Sequence, residues 1–256
     1  MRRFFVAGNW KMNTTRSEAE SLAGAVAEGL GQFDDLDVAV FPPFTYLQAV
    51  SAVLQDSAVA LGAQDLYYEP DGAFTGEVSG AMLADVGCRY VLIGHSERRH
   101  VLGETDSNVH SKLRAALEAD LHPVVCVGER LEEREQDRTE AVVRRQLTTA
   151  LEGVSADELR RVTIAYEPVW AIGTGKTATP DQAQAVHLYL RNLVSDRYNH
   201  VAAGEVRILY GGSVKPENAL SLLEQADLDG ALVGGASLNA DAFLAIVAAA
   251  RSAARS

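Results

Sequence analysis

The chain has 256 residues, 47% of them hydrophobic, and a formal net charge of −12. That acidity argues against nucleic acid or an anionic membrane surface as partner, while leaving room for a small anion held by a few local donors. No apolar run approaches the ~18 residues that cross a bilayer, and Cys88 and Cys126 lack metal-like spacing, so a reduced, cytoplasmic protein without disulfides is expected.

The opening Met1-Arg2-Arg3 carries the charge of a signal peptide, but the apolar stretch behind it stops at Gly8, too soon for one. Apolar runs of strand length then recur at residues 4–10, 37–42, 59–65, 90–95, 123–128, 163–167, 206–211 and 230–234. Between them, helical periodicity or helix-start signals predict helices at 17–30, 106–119, 132–151, 180–197, 216–224 and 241–250. Thr105-Asp106, Pro180-Asp181 and Asn239-Ala240-Asp241 have the look of helix N-termini.

Eight strands alternating with helices in this length allow roughly 30 residues per unit, the size of a βα repeat. The strands are rich in Val, Ile, Leu and Ala with little alternation, as parallel strands covered on both faces should be. No linker or low-complexity tract divides the chain. A closed parallel (β/α)8 barrel forming one domain over residues 1–256 fits best, with an open doubly wound sheet second.

In such a barrel the loops after the strands build the site, and nearly every run ends in something chargeable or glycine-rich. The first ends in Gly8-Asn9-Trp10-Lys11, the fourth in Gly94-His95-Ser96-Glu97-Arg98, the sixth at Glu167, the seventh in Tyr210-Gly211-Gly212-Ser213, the eighth in Gly234-Gly235. The two glycine pairs suit either phosphate binding through bare amides or tight turns, and both together on adjacent strands favour phosphate. Glu167, kept extended by Pro168, is a general base or a salt-bridging residue. His95, before a short helical turn, is a neutral hydrogen-bond donor or a plain turn histidine. Lys11 is a pocket cation or a solvated loop lysine, and Cys126 a small buried residue beside the base. The run Gly175-Lys176-Thr177 resembles the end of a nucleotide-binding P-loop, but Trp170 stands where that loop requires its first glycine.

Five segments in order carry a resemblance to the triosephosphate isomerase family along nearly the full length: residues 8–13 (GNWKMN), 93–99 (IGHSERR), 165–176 (AYEPVWAIGTGK), 210–214 (YGGSV) and 234–238 (GGASL). The resemblance implies interconversion of dihydroxyacetone phosphate and glyceraldehyde 3-phosphate with no cofactor and no metal. It implies Glu167 as base, His95 as electrophile, and Lys11 with Asn9 meeting negative charge. Glu97 would orient Lys11, Ser96 would hold the base at rest, and the amides of Gly173, Ser213, Gly234 and Gly235 would grip phosphate. A lid is implied, with hinges Pro168-Val169-Trp170 and Lys176-Thr177-Ala178 around the tip Ala171, Ile172, Gly173, Thr174 and Gly175. Ile172 and Leu232 would clamp Glu167, Tyr210 and Ser213 would latch the closed lid, and Glu129 would hold Trp170 when it opens. The loop from Gln64 to Glu77, with Thr75 reaching a neighbouring pocket, implies a homodimer. A barrel that binds a phosphate ligand without chemistry is the alternative.

Overall fold

The computed structural model describes residues 2–31, 35–173 and 175–254. Eight parallel strands hydrogen-bond in sequence order and close on themselves, β1 (Phe5–Asn9), β2 (Asp37–Phe41), β3 (Val59–Ala63), β4 (Tyr90–Ile93), β5 (His122–Val127), β6 (Thr163–Tyr166), β7 (Arg207–Tyr210) and β8 (Gly230–Val233). Closure comes from β1 against β8, with Phe5 opposite Gly230 and Gly8 opposite Val233. The barrel is the expected one, and the doubly wound sheet is excluded because an open sheet has edges and this one has none.

Alternate residues of each strand face two different cores. Phe5, Phe41, Tyr90, Leu92, Val124, Cys126 and Leu209 fill the barrel interior. Val6, Val38, Val91, Ile93, Val125, Ile164 and Ile208 point outward into the layer beneath the helices. Both faces are therefore apolar, which is why the strands show no alternation in the sequence. Each fully buried large side chain contributes roughly 1.5–3 kcal/mol.

The helices are α1 (Arg16–Leu30), α2 (Leu47–Leu54), α3 (Gly80–Val86), α4 (Ser96–His100), α5 (Asp106–Glu118), α6 (Leu131–Glu135), α7 (Thr139–Ala150), α8 (Ala156–Leu159), α9 (Pro180–Arg197), α10 (His200–Glu205), α11 (Pro216–Leu223) and α12 (Ala240–Ala253). Thr105, Thr179 and Asn239 cap α5, α9 and α12 through their side chains, as the start signals suggest.

The single helix expected over 132–151 is instead two. Asp137 adopts a left-handed conformation (φ 54°), and the amides of Arg138 and Asp137 donate back to the carbonyls of Glu133 (2.8 Å) and Arg134 (3.0 Å). This is the double bond pattern of a Schellman cap, which ends α6 before α7 begins. Helices α2, α3, α8 and α10 are absent from the sequence expectation, being too short for periodicity to stand out. No helix of the described residues is long and apolar enough to cross a membrane.

Candidate active site

The polar strand ends converge at one mouth of the barrel around a cavity of about 560 Å³, lined by Asn9, Lys11, His95, Glu167, Leu232 and Gly234 among others. A larger cleft of about 670 Å³ lies at the opposite pole, beside the starts of β3 and β4, and holds none of these residues.

Glu167 follows β6 directly, and its amide continues the ladder by donating to Val127 O at 2.8 Å. The residue is only 2% exposed. Oε2 accepts from the amide of Ser96 at 2.8 Å, and Oε1 lies 2.9 Å from His95 Nε2. Burial opposes its charge, but His95, the Ser96 amide and Lys11 outweigh that and hold the carboxyl below its ordinary range. Ser96 thus engages the carboxylate through its backbone N–H.

Two glycines make room for this residue. A Cβ on Gly128 would fall 1.7 Å from Glu167 O, and one on Gly211 would fall 2.8 Å from Glu167 Cγ. Gly128 is a size requirement the sequence reading misses, since a glycine after a strand looks like an ordinary turn. The Gly211-Gly212 pair suits either phosphate binding or a tight turn, and the Gly211 amide is taken: it donates to Tyr166 O at 2.7 Å. Among the described residues no hydrogen bond engages the amides of Gly173, Ser213, Gly234 or Gly235, and all four residues line the cavity. In the loop after β7 the unengaged amides therefore begin beyond Gly211, because Gly211 still belongs to the ladder.

His95 caps α4, and its Nδ1 accepts from the Glu97 amide at 3.3 Å. A nitrogen that accepts from an amide carries no proton, so the ring's proton sits on Nε2, facing Glu167. Burial disfavours a charged ring, yet the adjoining Glu167 carboxylate more than offsets this and raises His95 above its usual range. The Glu97 amide pulls the other way, toward the neutral ring.

Lys11 turns back over the mouth with φ 53°, its amide donating to Asn9 Oδ1 at 2.9 Å. Its ammonium lies 2.5 Å from Glu97 Oε1, and a Cβ on Gly234 would stand 3.9 Å from Nζ. Cation and bare amides are therefore neighbours. Cys126 is fully buried beneath Glu167, and burial together with that carboxylate pushes its thiol well up, so it is no nucleophile.

The segment from Pro168 to Ala178 is buried at its two ends and exposed between them. Pro168, Ala171 and Ala178 are buried, while Gly173, Gly175, Lys176 and Thr177 are exposed. Thr174 lies outside the described residues. Gly173 (φ 69°) and Gly175 (φ 79°) take left-handed conformations that a side chain would disfavour. Near its start, Trp170 Nε1 donates to Glu129 Oε1 at 2.9 Å, and Tyr166 OH donates to the same carboxylate at 3.1 Å. Arg134 stacks 4.7 Å over the Trp170 ring. Ile172 and Leu232 both line the cavity. Tyr210 is buried, and among the described residues its hydroxyl has no hydrogen bond of ordinary length. The P-loop alternative fails here: Lys176 and Thr177 sit in an exposed loop, and α9 starts only at Pro180.

A protein-family model described as triosephosphate isomerase matches residues 4–250. Curated relatives carry the same name. That of Chloroflexus aurantiacus is 54% identical over 247 residues, covering 96% of this chain and 99% of the relative. The protein of Syntrophotalea carbinolica is 53% identical over 247 residues, with 96% and 98% covered. That of Rhodopirellula baltica is 52% identical over 252 residues, with 98% and 99% covered.

Proposed function

The chain belongs to the triosephosphate isomerase family, and from that premise we propose how its residues interconvert dihydroxyacetone phosphate and D-glyceraldehyde 3-phosphate. Glu167 removes a proton from the carbon next to the carbonyl and returns it to the neighbouring carbon through an enediol(ate). His95, neutral with its proton on Nε2, donates to the carbonyl oxygen as negative charge grows there and then shuttles the hydroxyl protons. Lys11, oriented by Glu97 and anchored by Asn9, offsets the substrate's charge. The amides of Gly173, Ser213, Gly234 and Gly235 hold the phosphate, a part of the substrate that does not react yet fixes the carbon acid against the base. Closure of the flap from Pro168 to Ala178 excludes water and retains the enediolate, with Ile172 and Leu232 over Glu167.

The observation that carries this reading is the distribution of function within one cavity. A buried carboxylate–imidazole pair stands among the same cavity walls as four unengaged amides and an ammonium group. Coupled assays in both directions, in chelating buffer, are expected to show full turnover of both triose phosphates. Binding of a triose phosphate without turnover would leave only the silent barrel.

The chain is further proposed to act as a homodimer in the cytoplasm. Met12, Phe74, Val101 and Leu102 are exposed apolar side chains on the loops after β1, β3 and β4. They support pairing through the loop from Gln64 to Glu77, with Thr75 entering the neighbouring subunit. Sedimentation at micromolar concentration is expected to give twice the monomer mass, and a purely monomeric profile would remove this part of the proposal.

A further inference from the structure

Lys11 and Glu97 arrive from β1 and β4, with two strands between them, yet their charged atoms meet at 2.5 Å. Two consecutive residues after β3 touch both sides of that pair. Gln64 Nε2 donates to Lys11 O and to Phe41 O, each at 2.8 Å. Asp65 turns the other way, and its Oδ2 lies 2.8 Å from Arg98 Nη2 on α4, one residue from Glu97.

Asp65 does not hold Arg98 alone. Both its oxygens accept from Lys112 Nζ at 2.7 Å, and Lys112 also pairs with Glu104, whose Oε1 lies 3.3 Å from Arg98 Nε. Asp65, Lys112, Glu104 and Arg98 thus close a ring of two carboxylates and two cations. The side chains of Asp65, Lys112 and Glu104 are all no more than 6% exposed. Removing one member of such a ring leaves a neighbouring buried charge uncompensated.

The backbone on both sides needs this support. Lys11 occupies a left-handed conformation, which persists for a residue with a side chain only where neighbours hold it. Helix α4 has five residues, too few to be stable by itself. Its next residue, Arg99, ties the opposite flank to Gly94 O at 2.7 Å and Cys126 O at 3.1 Å. A continuous path therefore runs from the Lys11 carbonyl through Gln64, Asp65, Arg98 and Glu97 back to the Lys11 ammonium.

We infer that Asp65 is a positioning residue for the isomerisation, fixing through Arg98 the helix that carries Glu97 and is capped by His95 against the Lys11 turn. This rests on the catalytic reading above. Burial raises Asp65 to about 6 despite the pull of Lys112, so the carboxylate is ionised and the path intact at neutral pH and above.

The test is a double-mutant cycle above that pH, with Asp65→Asn, Glu97→Gln and their combination in the full chain. Asp65→Asn keeps the shape and one acceptor oxygen but removes the charge. Its kcat/KM is expected to fall roughly ten- to a hundredfold, the scale of a small misplacement of reacting groups. If Asp65 acts through the Lys11–Glu97 pair, the double variant stays within about twofold of the poorer single one. Losses that multiply, or a native kcat/KM for Asp65→Asn, overturn the inference. Should that variant not fold, Arg98→Lys cuts the same link, since a lysine cannot reproduce the guanidinium's two-pronged reach. A native chain without turnover defeats the catalytic reading instead. The same cycle is then read from the affinity for inorganic phosphate beside Lys11, with the same two outcomes.

Discussion

Glu167→Ala is expected to lower kcat by at least about 10²–10⁴-fold, the contribution of a positioned general base. The carboxylate has one oxygen 2.9 Å from His95 Nε2, and its backbone amide is held by Val127 O at the end of the barrel wall. Its present contacts explain how it waits. The Ser96 amide and His95 satisfy one oxygen each and keep it ionised, below its ordinary range, although burial alone would do the reverse. In the proposed cycle substrate would take the His95 donor, leaving burial to raise the basicity of Glu167, and flap closure would strengthen that effect. Coupled assays of the purified variant in both directions measure the loss. Retention of most of the native turnover would remove Glu167 from its role, whatever the fold.

His95→Gln is expected to reduce kcat by roughly 10²–10³-fold, about 3–4 kcal/mol, as loss of one oxyanion donor does. KM should change much less, because the donor matters most once charge has moved onto the carbonyl oxygen. The protonation argument supplies an independent measurement. His95 is raised by its carboxylate neighbour and lowered by burial. In the Glu167→Ala chain the first influence is gone, so the imidazole should titrate lower than in the native protein. Nitrogen NMR should find the proton on Nε2, because Nδ1 accepts the Glu97 amide. A His95→Gln enzyme with near-native kcat, or a proton found on Nδ1, would defeat the assignment.

What could be read along the chain is local chemistry. Eight apolar runs mark the strands because both faces of a barrel wall are buried, and the caps Thr105, Thr179 and Asn239 bond to amides three residues on. Asn9, Lys11, His95 and Glu167 were visible as polar residues where those runs stop. The break at Asp137 was not, since a left-handed aspartate has no obligatory sequence mark. The role of Gly211 is open in the sequence for a related reason: its amide becomes engaged only because β6 lies alongside it.

Sequence alone was enough to determine the alternation of strands and helices, the family resemblance, and which residue types stand at each strand end. Only the tertiary structure decided which of those residues meet. Ser96 reaches Glu167 across 71 positions, and Asp65 reaches Lys112 across 47. Such pairings follow from barrel closure, which brings distant strand ends to one rim and is a property of the whole wall. The space left by Gly128, the meeting of His95 with Glu167 and the link through Asp65 all come from that convergence, so no short window of the chain contains them.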